Sequence, residues 1–367
     1  MEDKKDKLEE IDWLKGGAIL GTVLVHSFVN VEESVASPIR LLFLLGSMGC
    51  QLFFLISGFC LANSWEKGHN KLWRFYYRRF VGIAPAYYLM IIFYIVLNIV
   101  LKHGGGYIGF QQNTNGEAII NNILLIHGFL QEGHNDVVPG GWYIGVSCFF
   151  YLIFPFIARK IEKVGDGNKQ VLLVFGVFII GQVVVRYIVN NQIINTKWER
   201  IINCEDIIYN LPVFLMGIVL FQYYNRGILY LNGNQRKICS FIVIGLALAT
   251  IIDYYFSILN HQFTSGLFFC SLFIWLVSGR EETRKQCKCL ACIGKASYAI
   301  YFVHIPFLCY ILPVLFMRIN PLKCKTFIFL VLVLMMLPLI VGTGMLFQKV
   351  IDGITKRLIH NTDRREK

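Results

Sequence analysis

LLFLLGSMGCQLFFLISGFCLA, Leu41–Ala62, runs for 22 residues without one charged side chain. About 20 mainly apolar residues in helical conformation cover the ~30 Å of hydrocarbon in a bilayer, and the backbone must satisfy its own polar groups there. The segment therefore reads as a membrane-spanning helix. Nine similar stretches surround it: Gly16–Val31, Gly82–Leu101, Trp142–Ala158, Gln170–Val189, Asp206–Gln222, Ile238–Ile252, Phe263–Ser278, Ala296–Phe316 and Thr326–Phe347. The expected fold class is an all-α integral membrane protein of about ten transmembrane helices. Asp253 and His261 interrupt a nearly continuous apolar region between the seventh and eighth spans. A further run, Ala118–Leu130, is too short to cross and carries Asn121, Asn122 and His127, so it is expected to lie on the outer surface or fold into a cavity.

Composition agrees. Of 367 residues, 56% are hydrophobic and 16% charged, against about 25% charged in soluble domains. Aromatic residues make up 15%, which suits lipid-facing helices with interfacial belts. No repeat or low-complexity linker divides the chain, so residues 1–367 are expected to form one membrane domain with no additional soluble domain. A charged start runs into an apolar stretch with no small-residue cleavage site, so no cleaved signal peptide is expected.

Basic residues set the orientation, since Lys and Arg favour the cytoplasmic side. The amino-terminal segment, alternate loops and the tail together hold 27 of the 35 basic residues on one side of the ten-span arrangement. The long opposite loop has no Lys or Arg between Lys102 and Arg159. Both termini are thus expected in the cytoplasm. The net charge of +12 is a topology signal with some attraction to anionic lipid, and no nucleic-acid partner is needed to explain it. Cys287, Cys289 and Cys292 offer three thiols without a fourth partner at zinc-finger spacing, and no metal site is expected.

Ionisable groups inside spans are costly and mark functional sites by default. His26 stands among apolar and small residues, and a neutral imidazole is suited to take a proton from a hydroxyl near neutral pH. Lys15 precedes it by eleven residues, close to three helical turns, which puts both on one face about 16 Å apart. Lys15 equally reads as a positive-inside flank. His304 lies in the ninth span, where Pro306 and Pro313 are expected to kink the helix around a cavity. Arg186 and Gln182 share a face of the fifth span, with Arg186 snorkelling outward, and Asn210 and Pro212 read as helix-packing features.

Five segments in order resemble the acyltransferase-3 family. They are DWLKGGAILGTVLVHSF, with Lys15 and His26; QLFFLISGFCL, Gln51–Leu61; FYYRRFVGIAPAYY, Phe75–Tyr88; GGWYIGVSCFFYLIFPFI, Gly140–Ile157; and IGKASYAIYFVHIPF, Ile293–Phe307. Lys15 stands where the family typically has Arg, and Ser147 stands five residues after Trp142 where a Glu is common. A second Arg that often follows three residues after the first in the basic segment is absent here. The resemblance implies transfer of an acyl group, commonly acetyl, from cytoplasmic acyl-CoA to a hydroxyl of a cell-surface or lipid-linked carbohydrate. It implies a bacterial cytoplasmic membrane, acyl-CoA as donor substrate and no bound cofactor. His26 is then the expected base or transient acyl carrier. Lys15, Arg78 and Arg79 are expected at the donor, and Trp142, Tyr151, Tyr298, Tyr301 and His304 around the acceptor pocket. Trp142 equally reads as an interfacial belt residue, Tyr143 is expected first as one, and Ser57 with Gly58 as a site of close helix approach. The alternative is a polytopic transporter or flippase of a sugar or lipid-linked substrate, which would also use proline-broken helices and buried polar groups.

Overall fold

The computed structural model describes residues 8–28, 37–68, 71–103, 114–128, 130, 133–190, 207–279, 287–319 and 325–365. Among these, all regular structure is helical. Helix α1 is Glu9–His26, α2 Ser37–Leu44, and a 3-10 turn Leu45–Met48 joins α2 to α3, Gly49–Lys67. Then come α4 Leu72–His103, α5 Gly116–Ile123, α6 Gly141–Val164, α7 Gly167–Asn190, α8 Ile207–Asn225, α9 Gly233–Phe256 and α10 His261–Ser278. Helix α11 is Lys288–Lys295, α12 Ser297–Ile305, α13 Leu312–Ile319 and α14 Lys325–Arg365. The side chain of Arg186 lies outside the described residues.

Nine spans among the described residues are long and apolar enough to cross a membrane, and they overlie nine of the ten expected stretches. The first differs. Helix α1 has 18 residues, long enough for about 27 Å, but it begins at Glu9 rather than Gly16 and ends at His26. Its first turn holds Glu9, Glu10 and Asp12. Acidic groups there complement the partial positive charge of the helix N-terminus, so charge that looks like the edge of a span belongs to the helix itself.

Packing sorts the helices. Of the apolar 18-residue stretch within Ile207–Asn225 (α8), 72% is buried, against 17% for the corresponding stretches of Gly167–Val185 in α7 and Gly233–Phe256 (α9). Helix α8 is therefore central, and α7 and α9 face lipid. Lipid tails are as apolar as leucine, so helices associate here through close packing and hydrogen bonds rather than through the hydrophobic effect. Helices α3 and α8 show both. A Cβ on Gly58 would stand 2.2 Å from the Phe214 carbonyl oxygen, and one on Gly217 would stand 2.0 Å from that of Leu55. The approach expected at Gly58 is thus a backbone-to-backbone contact. Gln51 donates to Asn210 at one end of the pair and Asn225 to Glu66 at the other, each across 159 residues of sequence. The constant offset means the two helices run parallel and in register.

Three local features position the site. The apolar region around Asp253 and His261 is two helices joined by a tight turn, closed by Asp253, which accepts from the Leu259 N–H and the Thr264 hydroxyl. The ninth span does break at its prolines: α12 stops at Ile305 and a π-helical turn, Pro306–Ile311, leads into α13. Finally, the short run after Ala118 folds inward. Asn122 and His127 are buried and bound to Tyr87 of α4, and His127 Nε2–H is shared between the Gly141 carbonyl and the Tyr87 hydroxyl at 2.8 and 3.0 Å. Burial pushes the His127 imidazole down to about 4, so it is neutral near pH 7. This knot fixes the loop that enters α6 at Gly141.

Candidate active site

The last turn of α1 carries His26 into a cavity of about 660 Å³. Its wall is polar with aromatic faces and carries no Asp, Glu, Lys or Arg: Thr22, Ser47, Cys50, Gln51, His134, Asn135, Trp142, Tyr254, His261 and Tyr301 are among the lining residues. Helix α1 reaches this depth because Gly21 meets Gly46 backbone to backbone, and Gly49 meets Ala18 and Thr22. Larger residues at those positions would push α3 and its preceding turn away from the cavity.

Behind His26 stands His304 of α12, 1% exposed, with the two rings 5.0 Å apart. His304 Nδ1 lies 3.2 Å from the Ile300 carbonyl, which can only accept, so Nδ1 carries the proton and Nε2 has a lone pair. That Nε2 is 3.2 Å from His26 Nδ1, which also lies 2.8 Å from the Thr22 carbonyl. His26 Nδ1–H is therefore the donor to both acceptors, and the tautomer follows from the partners. His26 Nε2 is left unprotonated on the residue that lines the cavity. An imidazole held by a second group through one nitrogen, with the other free to accept a proton, is the arrangement of an oriented general base.

The remaining expected residues divide. Trp142 and Tyr301 line the cavity beside His26, and the Tyr301 hydroxyl donates to the Gly140 carbonyl at 2.7 Å. Tyr298 does not line it: its hydroxyl donates to the Ile83 carbonyl of α4, about 9 Å along the helix from His304. Tyr151 lies two turns beyond Tyr143 on α6, so Tyr143, Ser147 and Tyr151 form one face at four-residue spacing. All but Ser147 are half-buried, and both tyrosines approach Ser57 of α3. Tyr143 is not a belt residue. Its ring packs on Phe54 at 4.7 Å and on Tyr301 at 5.6 Å, inside the bundle.

At the other end, the three expected donor-binding cations are not in one place. Arg78 and Arg79 line a cleft with Lys71, Arg74, Trp65 and Ser64; Arg79 donates to the Ser64 hydroxyl and lies 5.9 Å from the Phe75 ring centroid. Lys15 lines a separate cavity of about 610 Å³ with Asp12, Asn63, Glu66 and Lys67. Near the end of α3, Asn63, Glu66 and Lys67 line the Lys15 cavity while Ser64 and Trp65 line the arginine cleft, so α3 stands between Lys15 and the arginines. Sequence spacing cannot show this, because it depends on which way the end of α3 is rotated. Gln51, Asn135, Tyr254 and His261 escaped the sequence reading as site residues. For Gln51 and His261 a signal existed, a polar side chain within or next to an apolar run. For Asn135, in an irregular loop, none did.

The family described as Acyltransferase domain, acyltransferase-3, matches residues 8–347. The peptidoglycan O-acetyltransferase OatA of Listeria monocytogenes is 24% identical over 186 residues, 47% of this chain and 28% of that protein. The acyltransferase MdmB of Streptomyces mycarofaciens is 24% identical over 164 residues, 43% of this chain and 40% of its own length. The aligned part thus spans less than half of each curated relative, and no solved structure matches. With the match extending from the start of α1 into α14, the chain is an integral membrane protein that belongs to the acyltransferase-3 family.

Proposed function

We propose that the protein is a membrane-embedded O-acyltransferase moving an acyl group, most simply acetyl, from acyl-CoA at the cytoplasmic face to a hydroxyl of a cell-surface or lipid-linked carbohydrate. The observation that carries this reading is the His26–His304 pair at the wall of a large polar and aromatic cavity. Its lining suits a sugar: uncharged hydrogen-bonding groups beside Trp142, Tyr254 and Tyr301, whose ring faces pack on an apolar sugar face. The names of the relatives, a peptidoglycan O-acetyltransferase and an acyltransferase, support the same class.

In the proposed step, His26 Nε2 takes the proton of the acceptor hydroxyl as its oxygen attacks the thioester carbonyl. Nδ1–H remains shared by His304 and the Thr22 carbonyl, which stabilise the imidazolium. Collapse of the tetrahedral adduct breaks the carbon–sulfur bond, and the proton passes from Nε2 to the departing thiolate. The products are an ester and free CoA.

The basic-residue alternation supports a reading in which the Lys15 and Arg78–Arg79 end lies inside the cell, on the side of a cytoplasmic donor. Arg78 and Arg79 suit the phosphates through charge-assisted bonds. Between their cleft and the cavity, Tyr143, Ser57 and Tyr151 form a polar stripe, which supports this line as the route of the thioester-bearing arm. From Ser64 to Gln51 along α3 is about 20 Å. Lys15, across α3, serves the donor less directly; it suits a group reaching the second cavity.

Proteoliposomes test this. Acetyl-CoA is supplied on one side and a soluble glycoside on the other, and O-acetylated glycoside is measured by mass spectrometry. Product from wild type but not from His26→Ala supports the reading. Glycoside crossing the bilayer unmodified would instead establish the transporter alternative.

A further inference from the structure

Gln51 is 5% exposed, lines the same cavity as His26, and is bound on one side only: its Nε2 donates to Asn210 Oδ1 at 3.2 Å. Its Oε1 is buried and has no partner among the described residues. A buried carbonyl left unpaired is unfavourable, and native proteins keep few of them without a role. Here the amide is also held rigidly. Gln51, Leu55 and Gly58 lie on one face of α3, and Asn210, Phe214 and Gly217 lie opposite on α8, where the backbones touch. Asn210 holds the amide nitrogen, so Oε1 stays unpaired unless the group that fills the cavity reaches it.

We infer that Gln51 is a specificity-determining residue for the acceptor, its Oε1 receiving a hydrogen bond from an O–H or N–H group next to the hydroxyl that reacts. This rests on the acyltransferase reading and narrows its substrate to sugars with a donor beside the acylated position, a vicinal diol or a 2-acetamido sugar. An acceptor of this kind satisfies the orphaned carbonyl and, through a second fixed point on the same ring, aims the reacting oxygen at His26 Nε2. A site that pairs a buried group with a substrate donor rejects the analogue lacking it, because the buried group is then stranded.

The test uses the full-length protein in lipid with acetyl-CoA and six probes: octyl β-glucopyranoside, its four monodeoxy analogues and its 2-acetamido-2-deoxy analogue. Removing the reacting hydroxyl abolishes product. At one neighbouring position, removing the donor should lower wild-type kcat/KM by about 10- to 100-fold, the range expected for one hydrogen bond to a buried group. In Gln51→Met that step should shrink to below about threefold, while discrimination at other positions is kept. The ratio is internal to each variant, so a partly folded preparation does not distort it. Should Gln51→Met fail to accumulate, Asn210→Ser keeps Gln51 and releases its amide, and the same ratio should fall. Where the sensitive position is C2, the acetamido probe separates the two donor classes: full activity assigns N–H, loss assigns O–H. Unchanged discrimination in both variants, or no sensitive neighbouring position in wild type, overturns the inference. Wild type that acetylates none of the probes overturns the carbohydrate reading beneath it.

Discussion

Replacing His304 by Leu removes the Nε2 lone pair 3.2 Å from His26 Nδ1 and leaves the Thr22 carbonyl, at 2.8 Å, as the remaining acceptor. In the resting state a neutral N–H loses one of two acceptors, a small change. When His26 takes the substrate proton, the same bond becomes one to a cation. Hydrogen bonds to charged groups contribute about 1.5–3 kcal/mol. At about 1.36 kcal/mol per factor of ten, kcat should fall roughly 10- to 150-fold. Because the charge develops only along the reaction, KM for acyl-CoA should stay within about twofold. His304→Asn, with an amide oxygen able to accept, should recover part of the loss. The assay is steady-state CoA release in lipid, followed by thiol detection, with thermal unfolding as a fold control. A loss below threefold in a folded protein, or one confined to KM, would refute the idea that His304 orients and stabilises His26.

Other outcomes follow from the packing and the charges. Gly58→Val inserts side-chain atoms where even a Cβ would stand 2.2 Å from the Phe214 carbonyl, so the melting temperature should drop by an amount equivalent to about 1–3 kcal/mol, with Gly176→Val, where nothing lies within 4 Å, as a silent control. Arg79→Leu, which removes the bond to Ser64 and one cleft cation, should raise KM for acyl-CoA about tenfold or more and change kcat little, whereas Lys15→Ala, in a separate cavity, should have the smaller effect. His127 titrates near 4 in the fold against about 6.5 in an unfolded chain. A depressed histidine lets the unfolded state bind the proton first, so its share of stability is present above about pH 6.5 and is lost as pH falls towards 4. That share is about 3 kcal/mol across the window. Thermal unfolding from pH 7 to 4.5 should show a steeper fall in wild type than in His127→Gln, and equal slopes would show that His127 remains protonatable in the fold.

What was legible in the sequence was whatever depends on local spacing. Apolar runs located nine crossing helices, and the prolines at 306 and 313 placed the break in the ninth expected span. His26 stood out because an ionisable side chain among apolar neighbours has few structural reasons to be there. Its partner could be suspected but not paired, since His304 meets it across 278 residues through the seating of α12 on α1. The start of α1 was misplaced because Glu9, Glu10 and Asp12 resemble a solvated flank until the helix dipole is considered. Tyr143 resembled a belt residue because amphipathic tyrosines serve both interfaces and interiors, and only the rotation of α6 decides between them. The same holds for the division of Lys15 from Arg78 and Arg79 by α3. Asn210 read as a packing residue, and Gln51 only as the first residue of a motif. Only the parallel register of α3 and α8 shows that one amide holds the other.

The most direct test of the central claim is acetyl-CoA turnover by purified protein in lipid, wild type against His26→Ala, with matched melting temperatures. CoA release by wild type that disappears in His26→Ala is the expected result. Equal release from both proteins would contradict His26 as the base and, with it, the role assigned to His304.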